Sequence, residues 1–223
     1  MYTKGFTEPY TEGASDAGSG QRLVQYFDKG RMELTAPATG KVTNGLLANE
    51  LITGQLQLGN TTFERRAPAN IPIAGDPDNA GPTYAGLGSK GATLFTATTP
   101  HVPTERNGGA LVETRVAADG TVTTVQPNAG QGPMAISVYD GATQHNVPAA
   151  FAAYRDKVGL LTIGYARSEP FLTTVRVGGV NRQVMVQVFE RRVLIYTPDN
   201  ALAFQVEMGN IGAHYYRWRY CAA

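Results

Sequence analysis

The residues best placed to do chemistry are those that stand alone in the chain. His145 and Asn146 lie close to Tyr139 and Asp140. An imidazole in a loop just before a helix can serve as base or metal ligand, with a nearby carboxylate such as Asp140 sharing the acid–base role. The same imidazole can instead cap the helix or bond a turn carbonyl. His101 sits between Pro100 and Pro103, and His214 lies in the terminal segment. These three histidines show no HxH or HExxH spacing, so they spell out no metal site. Asp76, Asp78 and Asn79, in Gly75-Asp76-Pro77-Asp78-Asn79, are calcium candidates because they carry hard oxygen donors. That loop lacks the spacing of a calcium-binding loop and a distal bidentate Glu, and as a turn it needs no ion. Ser89, in Leu87-Gly88-Ser89-Lys90-Gly91, approaches a G-x-S-x-G elbow, but Leu87 stands where the first glycine belongs. The stretch from Gly86 to Gly91 lacks the Walker arrangement, and no cofactor is expected.

Other candidates recur or cluster. Asp28 and Glu190 occupy matching positions, as do Glu8 and Glu169, which would suit a paired-carboxylate glycosidase. Recurrence beside Lys29 and Arg191 is more simply a repeated strand-edge ion pair. The chain closes on Tyr215, Tyr216, Trp218 and Tyr220 interleaved with Arg217 and Arg219. Flat rings stack on sugar faces while guanidinium donors reach hydroxyls, so Tyr216, Arg217, Trp218, Arg219 and Tyr220 form a candidate glycan platform. In the competing reading Tyr215 and Trp218 join Ile211 in the core while the arginines stay solvated.

The elements that must position these residues follow from periodicity. Val24 and Tyr26, then Met32 and Leu34, alternate with polar neighbours; so do Val184, Val186 and Val188, then Val193 and Ile195. Period two marks half-buried strands. After the following glycine the period lengthens, with Leu47 and Leu51 before Gly54, and with Ile211, Tyr215 and Trp218. That is helical spacing, with Asn44 and Asn210 as expected N-caps and Gly54 as the C′ residue.

The two stretches match as a repeat. Glu8-Pro9-Tyr10 leading to Phe27-Asp28-Lys29 parallels Glu169-Pro170-Phe171 leading to Phe189-Glu190-Arg191, with Glu-to-Phe spacings of 19 and 20. The expected organisation is one compact domain made of a first unit over 6–54, a central hairpin-rich insert over 55–144, and a helix plus second unit over 145–220. In the insert, Leu56 to Phe63 and Val112 to Val125 read as hairpins, and 65–79 as proline-punctuated loop. A helix is expected over Pro148 to Val158, with Pro148 at its first position.

Composition bounds the rest. The chain has 223 residues, 42% hydrophobic and 17% charged, enough for a real core and unlike a disordered polyampholyte. No apolar run approaches 18 residues, so no spanning helix and no membrane insertion are expected. The 26 glycines and 13 prolines favour short strands and turns over long helices. A net charge of +1 argues against a nucleic-acid partner. The single cysteine, Cys221, excludes an internal disulfide framework and cysteine-rich zinc motifs. The expected fold class is α+β and β-rich, with two pseudo-repeated hairpin-plus-helix units packed with the central β-hairpin-rich insert.

The repeated VQ-x-F-[DE]-[KR] motif (Val24 to Lys29 and Val186 to Arg191), Gln144-His145-Asn146-Val147-Pro148 and the end Met208-Gly209-Asn210-Ile211-Gly212 with His214 to Tyr220 resemble a group of uncharacterised exported bacterial proteins. Each unit is also similar in layout to the LGFP repeat of cell-wall-associated proteins, with Gly164-Tyr165-Ala166 at the turn and Ala166 in place of proline. The resemblance implies an extracellular or cell-surface location, although no export signal precedes Thr11, so a trimmed or incomplete chain is expected. The functional expectation is a non-catalytic module that takes polysaccharide or cell-wall glycan on exposed aromatics. The alternatives are an extracellular glycan or ester hydrolase using His145, and a self-assembling surface or filament subunit.

Overall fold

The structure is a computed structural model and describes residues 5–10, 20–90, 104–106, 108–126 and 132–221. It is a β-rich α+β fold. In chain order, β1 (Phe6–Pro9), β2 (Gln21–Phe27), β3 (Gly30–Ala36) and β4 (Lys41–Asn44) form an antiparallel meander followed by α1 (Leu47–Thr53). The hairpin of β5 (Gln55–Gln57) and β6 (Phe63–Arg65) leads to α2 (Tyr84–Lys90), and β7 (Thr114–Val116) pairs with β8 (Val122–Thr124). A further hairpin, β9 (Ile136–Asp140) and β10 (His145–Pro148), precedes α3 (Ala149–Val158) and α4 (Leu160–Ile163). Last come β11 (Phe171–Val177), β12 (Val180–Val188), β13 (Val193–Tyr196), β14 (Val206–Met208) and α5 (Ile211–Tyr216), which runs into a π-helical turn at Arg217–Cys221.

β14 to β11 form a second antiparallel meander, extended by β7 and β8, with β7 lying parallel to β11. Alternate residues of β12 and β13 enter two different cores. Val184, Val186, Val188 and Val193 face a core shared with β2, α1, α2 and α5. Met185, Phe189 and Leu194 face a second core under α3 with Phe151, Val147 and Ile163. These strands are therefore buried on both faces, where alternation alone predicts half-burial.

The first meander departs from expectation in the opposite sense. Val24 and Tyr26 point inward, but on β3 the inward residues are Arg31 and Glu33, while Met32 is 45% exposed. A one-residue choice of face swaps every side chain of a strand. Here the inward charges are partnered, as described below.

The helix ends also differ in detail. Gly54 closes α1 at φ 71°, and a Cβ there would lie 2.1 Å from the Arg66 carbonyl, so a left-handed turn and a close approach both require glycine. Asn44 ends β4, and Leu46 occupies the cap position of α1 without a side-chain bond. Asn210 does sit at the start of α5, but its Oδ1 accepts from Lys29 Nζ at 2.7 Å. Pro148 precedes α3 as its cap.

The two helices are exchanged between the meanders. Gly212 and Ala213 of α5 donate N–H to the Asp28 carbonyl in the β2–β3 turn, at 3.0 and 3.2 Å, and Ala48 of α1 donates to the Glu190 carbonyl after β12, at 3.4 Å. A Cβ on Gly212 would sit 2.0 Å from the Phe27 carbonyl, so only glycine lets α5 approach that turn. No helix among the described residues is long and apolar enough to cross a membrane.

Candidate functional site

The C-terminal segment folds against the Arg66–Ile71 stretch. Arg66 Nη1 donates to the Arg219 carbonyl at 2.9 Å, and Trp218 Nε1 donates to the Ala67 carbonyl at 2.9 Å. Between them opens a cleft of about 640 Å³ lined by Arg66, Asn70, Ile71, Arg217, Trp218 and Cys221, among others. Trp218 is only 5% exposed, so it supplies a wall and not a stacking platform. Arg217 is exposed. Arg66 is partly held by Glu64 at 2.6 Å, with a third of its side chain in solvent.

The other two rings of the platform face the first meander. Tyr216 is half-buried and packs edge-on to Tyr26 at 5.3 Å, and Tyr220 lies 5.0 Å from Tyr216. Tyr220 is 44% exposed, while its hydroxyl donates to Glu8 Oε1 at 2.6 Å. Arg219 is buried and ion-paired to Glu8 at 3.3 Å, not solvated.

Those contacts belong to a buried network of Glu8, Glu33 and Glu50 with Arg22, Arg31 and Arg219. Arg31 is fully enclosed; its Nε donates to Glu33 at 2.9 Å, and it lies 4.7 Å from the Tyr215 ring centre. Burial would raise the Glu8 carboxyl, but Arg31, Arg219 and the hydroxyls of Tyr220 and Tyr26 bring it below the ordinary carboxylate value. Burial wins at Glu50, whose carboxyl is raised despite Arg31 and the Tyr215 hydroxyl. The pattern of single residue types gives no warning of this network. Arg22 shares the parity of Val24 and Tyr26 on β2, but on β3 the apolar alternation of Met32 and Leu34 runs out of phase with the inward Arg31 and Glu33.

His145 is 1% exposed, with Nδ1 3.3 Å from Glu169 Oε1 and a buried Nε2 that has no hydrogen-bond partner among the described residues. The carboxylate beside it is thus Glu169. Asp140, opposite His145 in the β9–β10 pairing, accepts from Arg155 at 2.6 Å and from the Ala166 N–H at 2.9 Å. Glu169 also accepts both the backbone and side-chain N–H of Asn146, at 2.8 and 3.0 Å, and Asn146 in turn bonds Thr104 and Arg106. The arrangement ties three segments together.

Asp76, Asp78 and Asn79 serve the β11–β12 turn. Asp76 accepts the N–H groups of Gly178 and Gly179 at 3.1 and 3.0 Å, which hold its carboxyl below the usual range. Asn79 accepts from the Arg176 N–H and donates to the Ala74 carbonyl, and Asp78 pairs with Arg176 at 3.4 Å across solvent. Among the described residues no three His, Cys, Asp or Glu converge as a metal site. Ser89 falls in α2; its side chain, Gly91 and His101 lie outside the described residues.

His214 accepts or donates at Nδ1 with the Tyr84 hydroxyl at 3.0 Å, and burial, with Lys29 and Arg217 nearby, lowers its pKa to about 4. No protein-family description, curated protein or solved structure matches the chain.

Proposed function

We propose that this protein is a non-catalytic module, exported or displayed at the cell surface, that binds polysaccharide or cell-wall glycan. The observation that carries the reading is the open cleft of about 640 Å³ in which Arg66, Asn70 and Arg217 offer donors around the Trp218 wall. Sugar hydroxyls need such donors, and the apolar lining at Ala67, Pro68 and Ile71 suits the C–H face of the ring. The half-exposed Tyr220 ring, fixed by Glu8, adds a rigid aromatic surface of low entropic cost on the neighbouring face.

We also read the two meander-plus-helix stretches as copies of one unit. The equivalent hydrogen bonds support this reading. Gly45 N–H donates to the Arg31 carbonyl as Gly209 does to Val193, and Ala48 meets Glu190 as Gly212 meets Asp28. The exported bacterial group and the LGFP-like layout belong to the same proposal.

The test is a pull-down on insoluble polysaccharides and on peptidoglycan, with the supernatant analysed for soluble products. Retention without products, weakened by Tyr220→Ala and Arg217→Ala, is the expected result. Failure of every polymer to retain the protein would overturn the reading. Product release abolished by His145→Ala would replace it with a hydrolase using the His145–Glu169 pair. Sedimentation as a large particle without ligand would favour an assembly subunit.

A further inference from the structure

A second cleft lies beside α1. It encloses about 260 Å³ and is walled by Asn49, Glu50, Gln55, Gln57, Phe63 and Arg167. The β5–β6 hairpin carries Phe63 to its rim, where the ring is 51% exposed and open to a ligand. Around that ring stand three side-chain amides. Gln57 Nε2 makes one long contact, 3.4 Å to the Tyr10 hydroxyl, and among the described residues the amides of Asn49 and Gln55 have no protein partner.

Two charged walls complete it. Glu50 Oε2 accepts from the Gln57 N–H at 2.9 Å and from the Tyr215 hydroxyl, and its buried Oε1 is ion-paired to Arg31 at 3.6 Å. Among the described residues the buried Arg167 Nε has no hydrogen-bond partner. Unsatisfied buried polar atoms are rare in folded proteins and call for an explanation. A ligand that both donates and accepts would satisfy a setting of amides and a guanidinium, and hydroxyl groups do so.

We infer that this cleft is a second, independent glycan subsite that takes a single uncharged pyranose ring, its C–H face on Phe63 and its hydroxyls on Asn49, Gln55, Gln57 and Arg167. The volume sets the size. Pockets for drug-sized ligands start at about 300 Å³, and this cleft of about 260 Å³ falls just below that range, the size for one sugar unit, either free or at a chain end. The inference deepens the glycan-binding reading and rests on it for the ligand class.

The test uses methyl glycosides of glucose, galactose, mannose and N-acetylglucosamine in saturation-transfer NMR and titration calorimetry on the full chain. At least one should bind saturably. Phe63→Ala, a change at an exposed ring, should weaken it by about tenfold or more, and Gln55→Ala should weaken it by less. Met32→Ser, on the solvent face of the first meander, should leave it unchanged. If none of the glycosides saturates, or if Phe63→Ala binds as the parent does, the subsite is refuted. Saturable glycoside binding without retention on any polymer would sink the polysaccharide reading but keep this subsite. Polymer retention that Arg217→Ala weakens, with no glycoside bound, would do the reverse. A chain-end ligand is told from a free sugar by whether short oligosaccharides displace the monomer signal.

Discussion

The two meanders share strand order and the pairing of their central strands, Phe27 opposite Gly30 and Val188 opposite Val193, and fill their inner faces in opposite ways. In the second, Val188 opposite Val193 and Val186 opposite Ile195 present hydrocarbon to the shared core. In the first, Tyr26 opposite Arg31 and Val24 opposite Glu33 present a ring and charges to the same side. The outer faces invert as well. Leu194, opposite Gln187, is buried under α3, whereas Met32, opposite Gln25, meets solvent. One backbone pattern thus supports either an apolar interior or a six-charge interior, provided each buried charge meets its counter-charge.

The comparison breaks most visibly at Arg31. Arg31→Met makes the first meander resemble the second at one position but strands Glu8, Glu33 and Glu50 with fewer counter-charges. It should cost about 3 to 5 kcal/mol, read as a lower urea midpoint at unchanged slope. Leu194→Ala removes a fully buried side chain from the second core and should cost about 2 to 5 kcal/mol in the same assay.

The pH dependence comes next. His214 is neutral in the folded protein down to about pH 4, while its ordinary value is 6.5. The unfolded chain therefore binds the proton first as pH falls. The stability it contributes is full above pH 6.5 and declines toward pH 4, by up to about 3 kcal/mol. Urea midpoints at pH 7.5 and 4.5 should differ accordingly, and His214→Phe should reduce the difference. The smallest effect is expected at Met32→Ser on the solvent face of the first meander, within about 0.5 kcal/mol.

What could be read from the chain divides along the same line. The valine alternation of β12 and β13, the β5–β6 and β7–β8 hairpins, the α1 stop at Gly54 and the inward turn of Ile211, Tyr215 and Trp218 follow from local pattern. The inward choice of Arg31 over Met32 does not, because it depends on Glu8, Arg22, Glu50 and Arg219 converging from four other elements, one of them at the far end of the chain. Apolar burial is a property of one residue; charge burial is a property of its partners. The same holds for the clefts. The dense aromatic end was visible, but that Trp218 would form a wall with Arg66, and that Arg219 would turn inward, needed contacts spanning about 150 residues. The β9–β10 hairpin and the Glu169 partner of His145 were likewise set by tertiary pairing.

The most direct test of the account is a binding isotherm on the polymer that best retains the protein, run in parallel for the parent chain, Arg217→Ala and Met32→Ser. The account predicts that Arg217→Ala, which removes charged donors from the larger cleft, weakens binding by about tenfold while Met32→Ser matches the parent. Equal binding by Arg217→Ala and the parent, with the loss falling instead on Met32→Ser, would contradict it and move the binding surface to the outer face of the first meander.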